Sequence, residues 1–144
     1  MNNIEITPCY SLEEMLPQFE LIRFLTPDLN EETYSDLLQK MIPHCYAQIV
    51  ARSGDKTVGV SGFWIGHKLY SGPYLEVDNF VVAPDYRNQG VGKVMLDWLT
   101  EEGKRRACRY MMLDAYVENF KAHGFYYREG FIARGFHFLK KING

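Results

Sequence analysis

The start of the chain alternates first with the period of a strand and then with that of a helix. Residues 4–7 alternate between apolar and polar side chains, which predicts a short first strand ended by Pro8. Ser11 and Glu14 have the spacing of a capping box, so a helix should follow. Pro17 falls inside this helix and predicts a kink or a late helix start. The apolar face of the helix would consist of Leu12, Met15, Leu16, Phe19 and Ile22.

A second helix and an antiparallel meander are predicted next. Asn30 is a good cap residue, and apolar residues recur at helical spacing from there until Pro43 stops the helix. Three strands should follow, because apolar runs are separated by turn residues such as those at 53–56 and 71–73. The predicted strands span residues 45–51, 57–65 and 74–82.

The second half of the chain predicts a helix, a buried strand, another helix and two closing strands. The apolar face of the first helix, which begins near Gly90, carries Val91, Val94, Met95, Trp98 and Leu99. The pairs Glu101/Arg105 and Glu102/Arg106 should lie on its exposed side. The later elements are a strand at 110–113, a helix at 118–129, and strands at 130–132 and 135–139.

This order of elements predicts one α/β domain over residues 1–144, with helices on both faces of a mixed, mainly antiparallel sheet of about seven strands. The strand at 110–113 must run parallel to its predecessor, because a helix lies between them and supplies the crossover. The length of 144 residues and the hydrophobic content of 47% suit a single core.

Charge and composition exclude several classes of function. The net charge of -2 and the pI near 6.1 do not suit a nucleic-acid-binding protein. The three cysteines, Cys9, Cys45 and Cys108, form no C-x-x-C pair, and the four histidines lack chelating spacing, so we predict neither a disulfide framework nor a metal site. No apolar run approaches the ~20 residues of a membrane span. We therefore expect a cytoplasmic protein that binds no membrane.

The loop before the helix at Gly90 is the main candidate for chemistry. A helix start presents backbone N–H groups and the positive end of the helix dipole, and Gly90 and Gly92 remove the side chains that would keep an anion away. Arg87, Gln89 and Lys93 add further donors and charge. These features suit a pyrophosphate, although two glycines also suit an ordinary tight connection between a strand and a helix.

Two other phosphate-binding loops do not fit this sequence. The Walker A loop requires G-K-[ST] after four spacer residues, and the chain contains no such run. The dinucleotide fingerprint G-x-G-x-x-G fails because Met95 occupies the place of its third glycine. A nucleotide-binding domain is therefore a weak alternative.

Two motifs resemble those of the general N-acetyltransferase (GNAT) superfamily. The first is the loop pattern [QR]-x-x-G-x-[GA], preceded by a valine, a proline and an aromatic residue. It is matched by Val82, Pro84, Tyr86, Arg87, Gly90 and Gly92. The second is N-x-x-A-x-x-[FL]-Y-x-x-x-G-[FY], which is matched by Asn119, Ala122, Phe125, Tyr126, Gly130 and Phe131. Both motifs occur in the order and at the separation that the family shows.

The resemblance implies a GNAT-like fold and acetyl-CoA as co-substrate. The pyrophosphate would be held by the loop residues Arg87, Asn88, Gln89, Gly90, Val91, Gly92 and Lys93. The backbone of Phe80, Val81 and Val82 would pair with the pantetheine arm, in a gap between two splayed strands. Asn119 would reach the cofactor, and Tyr126 would be the general acid, with Tyr127 as its rival. A homodimer is expected only by analogy with the family.

Transfer of an acetyl group to an amine also needs a group that takes the amine's proton. Glu76 and Asp78 are the candidates, since both lie on one face of the strand that would carry the pantetheine. The family often has a glutamate at the place of Glu76, so we expect Glu76 to act as base, directly or through water, and Asp78 to contact the acceptor. Both acids would instead simply face solvent if one side of the sheet were wet. His123 is expected to be a packed histidine.

The expected activity is direct transfer of an acetyl group from CoA to a primary amine, in a ternary complex. Paired acids near the site favour a cationic small molecule as acceptor. The alternatives are a non-catalytic module that binds or senses acyl-CoA, and an enzyme that acetylates protein N-termini or lysines.

Overall fold

The computed structural model describes residues 3–144 and contains five strands. The strands are β1 (Ile4–Cys9), β2 (Tyr46–Ser53), β3 (Lys56–Lys68), β4 (Gly72–Val82) and β5 (Tyr110–Leu113). The α-helices are α1 (Leu12–Met15), α2 (Phe19–Ile22), α3 (Glu31–Met41), α4 (Val91–Arg105) and α5 (Phe120–Arg128). Contacts within the chain divide it into two compact units, Met1–Leu113 and Asp114–Gly144. The single domain predicted from the sequence stays a prediction.

The first unit contains one mixed sheet with the strand order β1-β2-β3-β4-β5. Strands β1 to β4 form an antiparallel meander, and β5 pairs with β4 in parallel, as the intervening helix α4 requires. This arrangement confirms the predicted fold class and the predicted change from antiparallel to parallel pairing. The strand count is lower than the predicted value of about seven.

Helices cover both faces of this sheet. On one face the three short helices α1, α2 and α3 pack on alternate residues of the strands. This cluster includes Met15, Phe19, Ile22, Tyr34, Leu38, Tyr46, Val50, Val60 and Val81. On the other face α4 packs closely enough that its Met95 lies next to Gly59 of β3, and its Trp98 contacts Phe63. The central strands β2 and β3 are therefore buried on both faces over much of their length.

Local sequence explains where the first helices begin and end. The capping box predicted at Ser11 and Glu14 is present, with both reciprocal hydrogen bonds. Pro17 lies in a 3-10 turn, Leu16–Gln18, that separates α1 from α2, so the predicted interruption is confirmed. The side chain of Asn30 caps α3 by accepting a hydrogen bond from the backbone of Thr33.

Pro8 does not end the first strand, contrary to the prediction. β1 continues to Cys9, and Pro8 is paired with Ile49 of β2. The reason is that β1 lies at the edge of the sheet, where the missing N–H group of a proline can be tolerated.

The ion pairs on α4 also differ in part from the prediction. Glu102 pairs with Arg106 as expected, with an N–O distance of 3.2 Å, but it also pairs with Arg105. Glu101 pairs with Lys104 at 3.0 Å and not with Arg105. The side chain of Glu102 is only 5% exposed, so it lies towards the sheet and both arginines reach inwards to its charge.

The second unit consists of α5 and the chain around it. α5 begins at Phe120 and not at the predicted residue 118, because the side chain of Asn119 caps it. The strands predicted at 130–132 and 135–139 are wrong for the described residues, which form no paired strand there. The rings of Phe136 and Phe138 do lie on one side of the chain, with centroids 6.3 Å apart. An alternating pattern predicts such an extended segment, but a strand also requires a partner for its hydrogen bonds.

Residues 3–144 lack two kinds of feature that would bear on function. No helix in this part of the chain is long and apolar enough to cross a membrane. The same residues contain no cluster of three or more histidine, cysteine or acidic side chains arranged to hold a metal ion.

Two glycine substitutions test the packing of the sheet against its two helical layers. In α4, a Cβ at Gly103 would lie 3.8 Å from Cys108 and 3.9 Å from Leu75, which is ordinary contact. Gly103→Ala should therefore raise the free energy of unfolding by about 0.5–1 kcal/mol, because alanine favours a helix. In β3, a Cβ at Gly62 would collide with Tyr46 and lie 2.8 Å from Oδ1 of Asn79.

We therefore expect Gly62→Ala to lower the free energy of unfolding by about 1–3 kcal/mol. Urea denaturation of the two variants beside the wild-type protein measures both effects. Equal stability of the two variants would contradict the packing described here.

Candidate active site

The pairing between β4 and β5 ends halfway along β4. Their ladder runs from Tyr74↔Tyr110 to Val77↔Leu113 and stops there, while β4 continues to Val82. Beyond Val77, β4 keeps its pairing with β3 on the other side. An edge of β4 that β5 does not cover thus opens next to the loop that leads into α4. The ladder ends where β5 itself ends, at Leu113, so the splayed pair of strands that the resemblance implies stays a prediction.

A β-bulge lies in β4 just beyond the point of separation. Gly62 of β3 is paired with Asp78, and Val60 with Val81, so Asn79 and Phe80 together oppose one residue of β3. Asn79 has a φ of 52°, in the left-handed region where asparagine is several-fold enriched. The bulge therefore changes the direction of the backbone immediately before residues 80–82.

Pairing beyond the bulge fixes which way the next N–H groups point. The N–H group of Ala83 donates to the carbonyl of Val58, on the side of β3, at 2.8 Å. Because successive groups in a strand alternate in direction, the N–H groups of Phe80 and Val82 point to the opposite edge. That edge is the one on which β5 pairs with the first half of β4, beyond the end of β5.

The loop after β4 ends in the helix start that the sequence predicted. α4 begins at Val91, and its first intrahelical bond runs from the N–H group of Val94 to the carbonyl of Gly90. The amides before Val94 therefore lie at the mouth of the helix, at the positive end of its dipole. Gly90 has a φ of 83°, and a Cβ there would meet nothing within 4 Å. The mouth has room for an anion.

The charged and polar side chains of this loop make local bonds. Arg87 donates from Nε to the carbonyl of Val82 at 3.3 Å, which uses one of the five N–H groups of its guanidinium. Gln89 donates to the carbonyl of Asp85 at 3.0 Å, and Lys93 pairs with Asp97 one turn along α4 at 3.4 Å. The geometry of the helix mouth therefore comes from the backbone, with Asn88 at a φ of 63° and Gly90 forming the turn.

A pocket of about 410 Å³ lies where β3 and β4 run together, and Glu76 is in its lining. Glu76 is paired directly with Trp64 across the two strands, so their side chains lie on the same face. The other lining residues are His44, Ile65, Gly66, His67 and Tyr74. The sequence analysis did not assign these residues to a site. Alternation along two paired strands would have placed Trp64 and Tyr74 beside Glu76, had their register been known.

Asp78 has a different environment from Glu76. Its Oδ2 accepts a hydrogen bond from Nε1 of Trp64 at 2.9 Å, and its Oδ1 accepts one from the backbone N–H group of Asn79 at 2.8 Å. Both oxygens thus bind groups at the bulge. The acceptor contact predicted for Asp78 stays a prediction. In this geometry the carboxylate holds the side chain of Trp64 and the backbone of Asn79 in place.

In the second unit, the predicted residues lie on and beside α5. Asn119 accepts a hydrogen bond from the N–H group of Ala122 at 3.3 Å and so caps the helix. The ring of Tyr126 packs against Phe125 and Phe131, with centroid distances of 5.4 Å and 5.7 Å. Burial raises the pKa of the Tyr126 phenol above its ordinary value.

His123 is held by a bond within the same unit. Its Nε2 lies 2.8 Å from the carbonyl oxygen of Tyr116, and its ring meets Phe120 edge-on at 6.0 Å. These contacts are those of a packed histidine, as the sequence analysis expected.

The sequence of the chain is similar to those of proteins named as N-acetyltransferases. The chain is 28% identical over 101 residues to the aminoalkylphosphonate N-acetyltransferase of Salmonella typhimurium, a match that covers 69% of this chain and 65% of that protein. It is 25% identical over 113 residues to a Bacillus subtilis protein described as a possible ribosomal protein bS18 alanine N-acetyltransferase, with 78% and 70% covered. The match thus spans somewhat less than two thirds of the Salmonella protein.

The fold has a solved counterpart. An aminoglycoside N-acetyltransferase in complex with CoA superposes with a TM-score of 0.83 at 19% identity, covering 99% of this chain and 97% of that one. This likeness confirms the fold class. Residues 10–131 match the sequence profile of the acetyltransferase (GNAT) family, which is most of the chain. The chain therefore belongs to the acetyltransferase (GNAT) family.

Proposed function

We propose that this protein transfers an acetyl group from acetyl-CoA to a primary amine of a small molecule. The observation that carries the proposal is that one strand, β4, contributes both to a pocket and to a sheet edge that β5 does not cover. Glu76 lies in the pocket on one face of the strand, and the N–H groups of Phe80 and Val82 point to its uncovered edge. A thioester at that edge and an amine in the pocket would meet at the bulge, which suits direct transfer in a ternary complex.

The cofactor side rests on the helix mouth and the uncovered edge. The amides at the start of α4, from Val91 to Lys93, would bind the pyrophosphate, with the positive charge of Arg87 nearby. The pantetheine arm carries amide groups that can pair with the backbone of a strand. Residues 80–82 present such a backbone beyond the end of β5. The absence of a side chain at Gly90 fits this assignment, since a Cβ there would occupy open space at the helix mouth. Acetyl-CoA supplies the activated acyl group.

The acceptor side rests on the pocket around Glu76. A carboxylate beside two aromatic rings, Trp64 and Tyr74, suits a cation, because aromatic faces also attract positive charge. Nζ of Lys68 indeed lies 5.2 Å from the ring of Tyr74. His44 and His67 add hydrogen-bonding groups at the rim, which suits a small polar amine with hydroxyl or acidic substituents. Aminoalkylphosphonates, after which the similar enzyme of Salmonella typhimurium is named, are one such class of amine.

Three groups of this chain would act on the reacting atoms. Glu76 takes the proton of the ammonium, directly or through water. The N–H groups of Phe80 and Val82 stabilise the negative charge that develops on the carbonyl oxygen. Tyr126 gives a proton to the departing thiolate, and its raised pKa keeps the phenol protonated at neutral pH. Asn119 stays a predicted cofactor contact. A cytoplasmic location and a homodimer stay predictions as well.

The similarity to the Bacillus subtilis protein favours a second candidate, transfer to the N-terminus of a protein. One screen separates the candidates. Thiol release from acetyl-CoA is measured with aminoalkylphosphonates, amino sugars, polyamines and short peptides with free N-termini. We expect turnover with a small amine. Turnover with peptides alone would favour the second candidate, whereas tight binding of acetyl-CoA without any turnover would favour a sensing module.

The helix mouth can be tested with two variants that differ only in charge. Gly90→Asn and Gly90→Asp have side chains of nearly the same size, and both residues tolerate a positive φ. Repulsion between a carboxylate and the pyrophosphate costs about 1–4 kcal/mol at 4 Å. Calorimetric titration with CoA should therefore show at least about fivefold weaker binding for Gly90→Asp than for Gly90→Asn. Equal affinities of the two variants would remove the pyrophosphate from this position.

The role of Glu76 predicts a defect in kcat that depends on pH. Glu76→Gln should lower kcat at neutral pH by roughly 10²–10⁴, because the ammonium keeps its proton. The defect should shrink towards pH ~10.4, where an alkylamine loses its proton unaided. Glu101→Gln, on the exposed side of α4, serves as the control. A change in KM alone, with kcat unaffected, would assign Glu76 to ammonium binding.

The role of Tyr126 predicts a loss of turnover without a loss of cofactor binding. Tyr126→Phe should lower kcat by roughly 10²–10⁴ and leave the Kd for acetyl-CoA similar. In the wild-type protein, turnover should persist to pH ~10 or above, since the acid form of the phenol is the active one and burial raises its pKa. Tyr127→Phe removes a neighbouring hydroxyl as the matched control. Wild-type kcat in Tyr126→Phe, or an equal loss in Tyr127→Phe, would exclude the assigned role.

A further inference from the structure

A row of buried polar side chains connects the helical layer to the bulge of β4. The hydroxyl of Tyr34 donates to the carbonyl of Met15 at 2.8 Å. Nε2 of Gln48 donates to the hydroxyls of both Tyr34 and Tyr46, each at 3.1 Å. The hydroxyl of Tyr46 donates to Oδ1 of Asn79 at 2.8 Å. Tyr34, Tyr46 and Gln48 are at most 5% exposed, so this row lies in the core.

The direction of every bond in this row follows from its first member. The carbonyl of Met15 can only accept, so the hydroxyl of Tyr34 must donate to it and accept from Gln48. The second N–H of the Gln48 side chain then donates to Tyr46, which leaves the proton of the Tyr46 hydroxyl for Asn79. Burial raises the pKa of Tyr46 far above its ordinary value, so this proton is retained at any working pH.

The residues around Asn79 make room for this bond and satisfy the groups that the bulge releases. Gly62 lies beneath the contact between Tyr46 and Asn79, where a Cβ would collide with both side chains. The hydroxyl of Ser61 lies 3.3 Å from the carbonyl oxygen of Asp78, and the carboxylate of Asp78 accepts from the N–H group of Asn79. Side chains therefore hold the bulge at Asp78 and at Asn79.

We propose that Tyr46 is a positioning residue for acetyl transfer, because its hydroxyl holds Asn79 in the left-handed conformation that directs the N–H groups of Phe80 and Val82 to the uncovered edge of β4. This inference rests on the proposed function, in which those N–H groups bind the carbonyl oxygen of the acetyl group. Tyr46 acts only through Asn79 and touches no reactant.

The test measures how strongly the protein polarises the bound thioester. Acetyl-CoA labelled with ¹³C at its carbonyl is bound to each variant, and the carbonyl stretch is read by isotope-edited infrared difference spectroscopy. Hydrogen bonds from Phe80 and Val82 should lower this frequency in the wild-type protein. Tyr46→Phe should lose much of the shift and lower kcat by about 10–10²-fold, somewhat less than removal of a whole donor. The Kd for acetyl-CoA should stay within about threefold, because the helix mouth is unchanged.

Tyr34→Phe is the matched control. It removes a buried hydroxyl that binds the same Gln48 nitrogen but ends at Met15 and not at the bulge. It should lower the Tm about as much as Tyr46→Phe while keeping the wild-type carbonyl frequency and kcat. Asn79→Gly retains access to a positive φ but lacks the acceptor, so it should reproduce Tyr46→Phe, and the double variant should lose nothing further. Asn79→Gly also keeps the test available if Tyr46→Phe fails to fold.

The outcomes separate this inference from the function on which it rests. A wild-type carbonyl frequency that does not change on binding would refute the role of the β4 amides, and the inference with it. A normal wild-type shift that Tyr46→Phe and Asn79→Gly both retain would refute the inference alone. Equal losses of frequency shift in Tyr34→Phe and Tyr46→Phe would refute it too, since they would indicate a general loosening of the core.

Discussion

The bulge at Asn79 is the constraint on which the site depends. Inserting one extra residue into β4 removes two backbone groups from the ladder with β3 and turns the chain before residues 80–82. Buried backbone groups that leave a ladder must find other partners, because each costs about 1–3 kcal/mol when left alone. The carboxylate of Asp78 accepts from the N–H group of Asn79, and the hydroxyl of Ser61 lies between two carbonyl oxygens, 2.9 Å from that of Gly62 and 3.3 Å from that of Asp78. A left-handed residue in mid-strand can therefore persist here, although it would be strained in a regular sheet.

In the proposed function, the two helical layers serve different reactants. The layer formed by α1 to α3 reaches the bulge through Tyr34, Gln48 and Tyr46, on the same face of the sheet as Glu76 and its pocket. The layer formed by α4 lies on the other face and presents its amino-terminal end to the loop after β4. The strand β4 is common to both, since it contacts both layers and leads into the loop. Within the first unit, the sheet is therefore the element that keeps the acceptor pocket and the helix mouth at a fixed separation.

The sequence predicted those parts of the site that depend on local chemistry. The helix start at Gly90 follows from two glycines before a helical apolar pattern, and the parallel crossover to β5 follows from the intervening helix. The bulge could not be predicted, because no local pattern shows that Asn79 and Phe80 oppose a single residue. The pocket around Glu76 depends on the register of β3 against β4. That register depends on the geometry of the turn at 71–73, which the sequence alone does not reveal. The strands predicted after Gly130 were wrong in the described residues for a related reason. Alternation describes the side chains of a strand but does not provide its partner.

In the proposed site, backbone groups bind the cofactor and side chains bind the acceptor. This division has consequences for specificity. The helix mouth would bind the cofactor through amides that any sequence provides, as long as Gly90 can take a φ of 83° and no side chain fills the space in front of it. The proposed acceptor pocket is lined by Glu76, Trp64, Tyr74 and two histidines, none of which belongs to the helix mouth. A fold built in this way can keep its cofactor while its acceptor changes. The bulge is the point where the two tasks meet, so substitutions there should affect turnover with every acceptor, whereas substitutions in the pocket should affect acceptors selectively.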